Sequence, residues 1–266
     1  FNNDSEFAYN DVYQANMIAD DCALLYTVGG PHRGEIHHNW FHDNKGRGKL
    51  NKAAGIYLDN DAEAFSVHHN VIWNTEWTGV QINWDGKDIN VFNNTFWNNS
   101  EEMGAWHKEG TSFTNVKVWN NLGFKGEWEP QSNKQNNLIT GANAFVNVSS
   151  GDFMLKAGAN AVNKGRVINN ITNGYVGSAP DVGAYEYGGD KWRAGVTWNS
   201  NSGPTGICYG LPGENCTMGQ ETVAFKNVSV SIPSKTSYDF SIAYAANQKR
   251  EVIVEFWSSI SYLGSS

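Results

Sequence analysis

Cysteine, proline and charge are all scarce in this chain. Its 266 residues include 3 Cys, 6 Pro and 4 Met, and Asp, Glu, Lys and Arg together make up only 17%. Cys208 and Cys216 lie eight positions apart in a Gly/Pro-rich stretch, a spacing that suits one local disulfide. Cys22 is then left as a small apolar residue, and no zinc spacing is present. No apolar run approaches the ~18 residues of a membrane span. The net charge of −8 argues against nucleic acid or an anionic membrane as partner. It also makes a highly sulfated or uronate-rich ligand less natural. No window carries apolar residues at i, i+3, i+4, i+7 over a dozen positions, which excludes a helical solenoid.

What is present is a repeat. The phrases Ala8–Tyr13, His37–His42, His68–Trp73, Phe92–Trp97 and Trp119–Phe124 align on Asn10, Asn39, Asn70, Asn94 and Asn121, at spacings of 29, 31, 24 and 27 residues. A second phrase recurs between them: Ala23–Thr27, Gly55–Asp59, Gly79–Asn83 and Gly104–Lys108. Units of this length, made of very short strands, cannot bury an apolar face alone and must stack on their neighbours. The expected fold is all-β: a right-handed, single-stranded parallel β-helix, with coils about 4.8 Å apart. Each ladder Asn suits a bend, because it tolerates left-handed backbone and can bond the Asn of the next coil. The chain opens at Phe1 inside a repeat, so coils are expected to precede it in a longer protein.

The regular repeat runs to about Phe124, after which 127–130 and 133–137 read as a long loop and 152–156 as a further strand. The phrase Ala179-Pro-Asp-Val-Gly-Ala-Tyr-Glu-Tyr-Gly188 resembles the closing segment of many secreted parallel β-helix proteins that act on polysaccharides. Past Gly195 the segments Glu221–Phe225, Tyr238–Ala245 and Val252–Trp257 alternate with period two. They resemble part of a family 6 carbohydrate-binding module. The expected organisation is therefore a β-helix over 1–195 followed by an incomplete antiparallel, jelly-roll-like sandwich over 196–266. Sequons at Asn93, Asn98, Asn147, Asn170, Asn215 and Asn227 accord with export from the cell. A monomer is expected.

Strand alternation aims Tyr57 and Asp59 outward if Ile56 and Leu58 point inward. The aligned phrases then place Leu25 and Thr27, Gln81 and Asn83, and Trp106 and Lys108 on the same outward rows, with His107 inward. Trp84, Asp85 and Glu109 lie just beyond, and His32 and Arg33 on the preceding loop. Aromatic faces beside carboxylates and amides are what a sugar groove needs. The competing reading is a solvated wall, with Trp73 and Trp97 plugging the tube. Two carboxylates flanking a glycosidic bond are the minimum for hydrolysis. Asp59 is the first choice, with Asp85 one coil away and two residues along, about 8 Å on the diagonal. Asp59, Asp61 and Glu63 equally suit a structural calcium; no other cofactor is expected.

The stretch Asp20-Asp21 before the strand at Leu24, together with Gly55-Ile-Tyr-Leu-Asp59, resembles glycoside hydrolase family 141 and its relatives. That resemblance implies Asp21 and Asp59 as a catalytic pair, although Asp21 sits six positions earlier along its coil than the expected counterpart of Asp59. The expectation is a glycoside hydrolase acting on a plant or algal polysaccharide. A polysaccharide lyase using Lys108, His107, His32, Arg33 or Tyr57 is the first alternative, and a non-catalytic glycan-binding β-helix the second. The His pairs at 37–38 and 68–69 are read as turn-adjacent repeat positions.

Overall fold

The computed structural model describes residues 4–30, 32–195, 198–199 and 203–204. The chain winds through four complete coils of three strands each. The first coil contributes β1 (Glu6–Ala8), β2 (Asp11–Tyr13) and β3 (Cys22–Val28). The second contributes β4 (Gly34–His37), β5 (Trp40–Asn44) and β6 (Ala53–Asp59), and the third β7 (Phe65–His68), β8 (Val71–Thr75) and β9 (Thr78–Asn83). The fourth contributes β10 (Asn90–Phe92), β11 (Thr95–Trp97) and β12 (Glu101–Trp106). Two partial coils follow, with β13 (Lys117–Trp119) and β14 (Leu122–Gly123), then β15 (Asn133–Gln135) and β16 (Leu138–Ile139). Like strands stack in parallel into a first sheet (β1-β4-β7-β10-β13-β15), a second (β2-β5-β8-β11-β14-β16) and a third (β3-β6-β9-β12). The expected parallel β-helix is thus observed, and the stretch 133–137, expected as loop, supplies one more strand of the first sheet.

The tube is filled by one inward side chain per strand from the first sheet (Ile36, Val67, Val91 and Val118) and the second (Phe41, Ile72 and Phe96), and by two per strand from the third (Ile56 and Leu58, Val80 and Ile82). Burying each such side chain contributes about 1.5–3 kcal/mol. At the bend between the first and second sheets, Asn10, Asn39, Asn70, Asn94, Asn121 and a sixth residue, Asn137, form a continuous ladder. Each side-chain amide donates to the Oδ1 of the next at 2.9–3.0 Å. The ladder matches the expectation, but the left-handed residue is the one before each Asn: Tyr9, His38, His69, Asn93, Asn120 and Asn136 all have φ between 48° and 59°. That turn frees each ladder Asn to point inward along the bend.

One of the alternatives fails here. Trp73 and Trp97 do not plug the tube. They belong to an outward row of the second sheet, Tyr13–His42–Trp73–Trp97. The antiparallel pair β17 (Phe145–Asn147) and β18 (Asp152–Leu155) covers this row, with Phe153 5.2 Å from the Trp73 ring. The closing phrase latches beside it, where Ala184 N donates to Thr95 Oγ1 and Gly183 N to the Asn120 carbonyl. The sequon residue Asn93 is buried and donates to the Asp181 carbonyl, so it is closed to a glycan.

The expected sandwich over 196–266, including Cys208 and Cys216, lies outside the described residues, apart from one two-residue pairing of β19 (Trp198–Asn199) with β20 (Gly203–Pro204).

Candidate functional site

The outer face of the third sheet carries the polar cluster, in a register different from the one expected. Tyr26 stands beside Tyr57, Tyr57 beside Gln81 and Gln81 beside Gly104. The next outward row runs Val28, Asp59, Asn83 and Trp106. Leu25 and Thr27 are instead buried, paired with Ile56 and Leu58. Lys108 is two residues beyond the row assigned to it. The first slip arises because Leu24 and Leu25 are both apolar, so either can be read as inward; a shift by one residue then exchanges the faces. The second arises from aligning glycines that serve different contacts. A Cβ on Gly79 would meet Phe96 Cδ1 at 2.5 Å, whereas one on Gly104 would meet Gln81 Oε1 at 2.5 Å, on the outside.

Asp59 is the centre of this face. The Tyr26 hydroxyl donates to its Oδ2 at 2.6 Å, and the Asn83 amide and Asn60 N–H donate to its Oδ1 at 2.8 and 2.9 Å. Asn83 Nδ2 also donates to the Tyr57 hydroxyl oxygen at 2.6 Å. Gln81 Nε2 and the Trp106 N–H fix Asn83 Oδ1 at 2.8 and 3.1 Å. These bonds set the orientation of the Asn83 amide, because only its oxygen can accept. The Asp59 hydrogen bond, then burial, pushes Tyr26 up to about 12. Burial, followed by Asp59 and Asp21, pushes Tyr57 well above the ordinary phenol value. Both hydroxyls therefore stay protonated at neutral pH. The Tyr57 oxygen accepts from Asn83, which leaves its own hydrogen to be donated to a ligand.

Beside this cluster lies an open cavity of about 370 Å³, walled by Lys52, Tyr57, Trp77, Asn83, Glu101 and Trp106. Trp106 is 62% exposed, and Tyr57 meets the Trp77 ring edge-on at 5.5 Å. Tyr26, Lys52 and Trp77 were missed from sequence. Tyr26 follows from the corrected register, while Trp77 sits on the bend into β9, where the repeat gives no alternation to read.

Two residues past the Asp59 row, Asp61 and Asp85 form a carboxyl pair. The hydrogen bond with Asp85 raises Asp61 above the ordinary carboxylate value, and Lys108 partly opposes the shift. Lys108 Nζ lies 4.3 Å above the Trp84 ring. Two buried polar atoms flank the pair without a protein partner, Asn60 Oδ1 and Trp84 Nε1. Such orphans mark places where a water or ligand completes the bonding.

The remaining candidates are dispersed. Asp21 sits before β3, opposite Lys52, whose Nζ is 3.5 Å away. It therefore lies about seven residues back along the strand direction from Asp59, at the other end of the face, yet its charge still acts on the Tyr26 and Tyr57 hydroxyls. Asp20 is structural: its carboxylate accepts from the backbone of Asp21, Leu50 and Lys52. Arg33 is tied as a fork to Asp4 at 2.6 and 2.8 Å, and His32 Nε2 faces the Val28 carbonyl at 3.3 Å, so neither reaches the cluster. His107, expected inside the tube, lies past β12 and bonds Glu129 Oε1 at 2.8 Å. Glu109 is exposed on the following turn. Among the described residues no group of three or more His, Cys, Asp or Glu is arranged to hold a metal ion, and no helix is long and apolar enough to cross a membrane.

No protein-family model matches the chain, and no curated protein does. Among solved structures the chain is similar to one described as the crystal structure of pectate lyase Pel9A, with a TM-score of 0.41 and 16% identity, covering 68% of this chain. The chain spans 66% of that structure's length.

Proposed function

We propose that the chain is part of a secreted glycoside hydrolase that cleaves a plant or algal polysaccharide on the outer face of the third sheet. The observation that carries this reading is Asp59 itself: a carboxylate fixed by Tyr26, Asn83 and Asn60, beside an open cavity with Trp77 and Trp106 on its walls. The exposed Trp106 indole stacks on the C–H face of a sugar ring, and the Tyr57 hydroxyl and Lys52 donate to sugar oxygens.

Two carboxyl groups with separated proton affinities make an acid and a base. Asp61, bonded to Asp85, holds its proton more tightly than an ordinary carboxyl and acts as the acid, giving that proton to the glycosidic oxygen as the C1–O bond breaks. A water attacks C1 and passes its proton to Asp59. The Cα atoms of Asp59 and Asp61 are at most about 7 Å apart, as for any i, i+2 pair. That Cα separation is compatible with carboxyl groups standing about 6.5–9.5 Å apart, the room that direct attack by water takes. Asp21 and Lys52 serve as a sugar-hydroxyl site at the far end of the face.

A lyase would need a base to remove the α-proton and a cation for the uronate. The Asp59 hydrogen bond pushes Tyr26 upward and burial, then Asp59, pushes Tyr57 upward, so both hold their protons, and Arg33 is paired with Asp4, which favours hydrolysis. The deciding experiment is a reducing-end assay across a polysaccharide panel, with absorbance near 235 nm read in parallel. New reducing ends without that absorbance, lost in Asp59→Asn, support the hydrolase. Absorbing products select the lyase, and binding without turnover selects a glycan-binding scaffold.

A further inference from the structure

The row of left-handed residues at the bend between the first and second sheets throws its side chains outward in a stack. The Tyr9 ring lies on His38 at 5.0 Å and 22°, and His38 on His69 at 5.0 Å and 10°. Behind them, on the ends of β4 and β7, His37 and His68 stack in the same way at 4.9 Å. The second and third coils thus each carry an imidazole pair that ends a carboxylate–imidazole–imidazole relay. In the first relay, Glu6 Oε1 bonds His37 Nε2 at 2.7 Å and His37 Nδ1 bonds His38 Nδ1 at 2.7 Å. In the second, Glu35 Oε1 bonds His68 Nε2 at 2.8 Å and His68 Nδ1 bonds His69 Nδ1 at 2.9 Å.

With neutral rings, the carboxylates fix the tautomers along these chains. An ionised Glu only accepts, so the Nε2 of His37 and His68 must carry hydrogen. A neutral ring then has a bare Nδ1, and the Nδ1–H of the bond to it belongs to His38 or His69. Those two rings are in turn left with bare Nε2 atoms. Burial, with the neighbouring imidazoles, holds His38 down to about 4 and His68 to about 3, and holds His69 well below the ordinary value. These rings are accordingly neutral at neutral pH.

Both outer rings line a cavity of about 350 Å³ with Tyr9, Asn93, Tyr175 and Trp192. Trp192 meets His38 edge-on at 5.1 Å and stacks on Tyr185 at 4.5 Å. The cavity is large enough for one or two sugar rings, is walled by aromatic faces, and stands at a different corner of the coil from the Asp59 face. We propose that it is a second carbohydrate site, in which the bare Nε2 atoms of His38 and His69 accept hydroxyl hydrogens from a neutral saccharide stacked against Tyr9 and Trp192. The two acceptors are one coil apart, about 4.8 Å, so they match non-vicinal hydroxyls of one sugar. Glu186 and Asp190 line the site and Glu6 and Glu35 stand behind the inner imidazoles, against a nearby cation, Arg193, which acts on Tyr185; this acidic excess disfavours a uronate or sulfated ring.

The test uses long-range 1H–15N imidazole spectra of the whole chain, titrated with methyl glycosides of neutral pyranoses and, separately, with the methyl glycoside of galacturonic acid, its carboxylate ionised. The expected result is unprotonated Nε2 on both His38 and His69 before titration, and movement of both signals with at least one neutral glycoside but not with the uronate. His69→Phe keeps a stacked ring and removes the acceptor, and is expected to weaken the response at least tenfold. Trp106→Ala, on the other face, is expected to leave it unchanged. A proton on either Nε2 in the free protein, no response to any neutral glycoside, an equal response in His69→Phe, or loss in Trp106→Ala overturns the assignment. The tautomer readout needs no variant, so a His69→Phe chain that misfolds does not shelter the proposal.

Discussion

Asn83 donates its side-chain amide to two groups at once, the Tyr57 hydroxyl at 2.6 Å and Asp59 Oδ1 at 2.8 Å. It thereby couples two adjacent coils across the outer face. The amide keeps Tyr57 as a donor and Asp59 as an acceptor, a polarity that neither residue fixes alone. Asp59→Asn keeps the size of the side chain but replaces one acceptor by a donor facing Asn83 or Tyr26. On whichever polysaccharide the panel identifies, this variant is expected to lower kcat/KM by about 10²–10⁴ with unchanged thermal stability to within a few degrees. Tyr57→Phe, which removes one donor to substrate and also one acceptor of the Asn83 amide, is expected to lower it at least about 3–10-fold.

The Asp61–Asp85 pair makes a prediction in pH. Asp85 is the first cause of the upward shift in Asp61. In Asp85→Asn the partner can still hydrogen-bond but no longer repels, so Asp61 loses its proton at lower pH. The basic limb of the kcat/KM profile is then expected to move to lower pH while the acidic limb stays in place. An unmoved basic limb would assign the acid elsewhere.

The coil repeat was legible from the sequence because one signal recurs without competition. A buried bend needs the same Asn in each coil, and the six-rung amide ladder preserves it. The outer face was only half legible. Gly55-Ile-Tyr-Leu-Asp59 and Gly79-Val-Gln-Ile-Asn83 alternate cleanly, and their relative register stands. Leu24-Leu25 offers two equivalent inward residues, and Gly104 is a glycine for a reason unrelated to Gly79, so the outer two rungs slipped. The histidine relays were visible as His-His pairs, yet their carboxylate partners come from the preceding coil, 31 and 33 residues away. Only the register of the first sheet brings them into reach.

The same histidines predict acid lability. His38, His68 and His69 have proton affinities lowered in the folded chain, with values of about 4 and 3 for the first two. A lowered histidine means that the unfolded state binds more protons once the pH falls below about 6.5. The stability is then fully present above 6.5 and lost as the pH falls from there toward 4 and below. The charged groups facing the cluster are Glu6, Glu35, Glu186 and Asp190. Each pH unit in the window costs about 1.4 kcal/mol for each such histidine. Denaturant midpoints measured between pH 7.5 and 4.5 are expected to fall steeply below 6.5. In His69→Phe that slope is expected to be shallower.

A ladder rung is worth more at its centre than at the surface. Asn70 is fully buried; it accepts from Asn39 and donates to the Ile36 carbonyl and Asn94 Oδ1. Asn70→Ala strands those partners in the bend, at a cost of about 1–3 kcal/mol for each unsatisfied group, so a total of at least roughly 3 kcal/mol is expected in urea unfolding. Asn98 makes a similar amide contact to Asn74 but in solvent. Asn98→Ala is expected to stay within about 0.5 kcal/mol of the parent.

Glu102 closes the open edge of the third sheet. Its buried carboxylate accepts from Phe124 N and Lys125 N at 2.9 and 2.6 Å through one oxygen, and from Glu127 N at 2.9 Å through the other. Those three bonds hold the loop 124–127 against β12, where Met103 N donates back to the Glu127 carbonyl. An uncovered parallel edge would invite pairing with another chain. In Glu102→Gln one of the two oxygens becomes an amide nitrogen, which opposes donor to donor, so part of the clamp must open. Because the loop lies outside the tube, its release leaves the stacked core intact. The expected outcome is rapid tryptic cleavage after Lys125 in the variant, little cleavage there in the parent, and circular dichroism unchanged between the two. Residues 127–129 wall the space next to Trp106 and His107, so the nicked variant is also expected to bind polysaccharide more weakly. Equal resistance of both proteins to trypsin would place the hold on this loop in the Trp128 ring packed against Phe96 and not in the carboxylate.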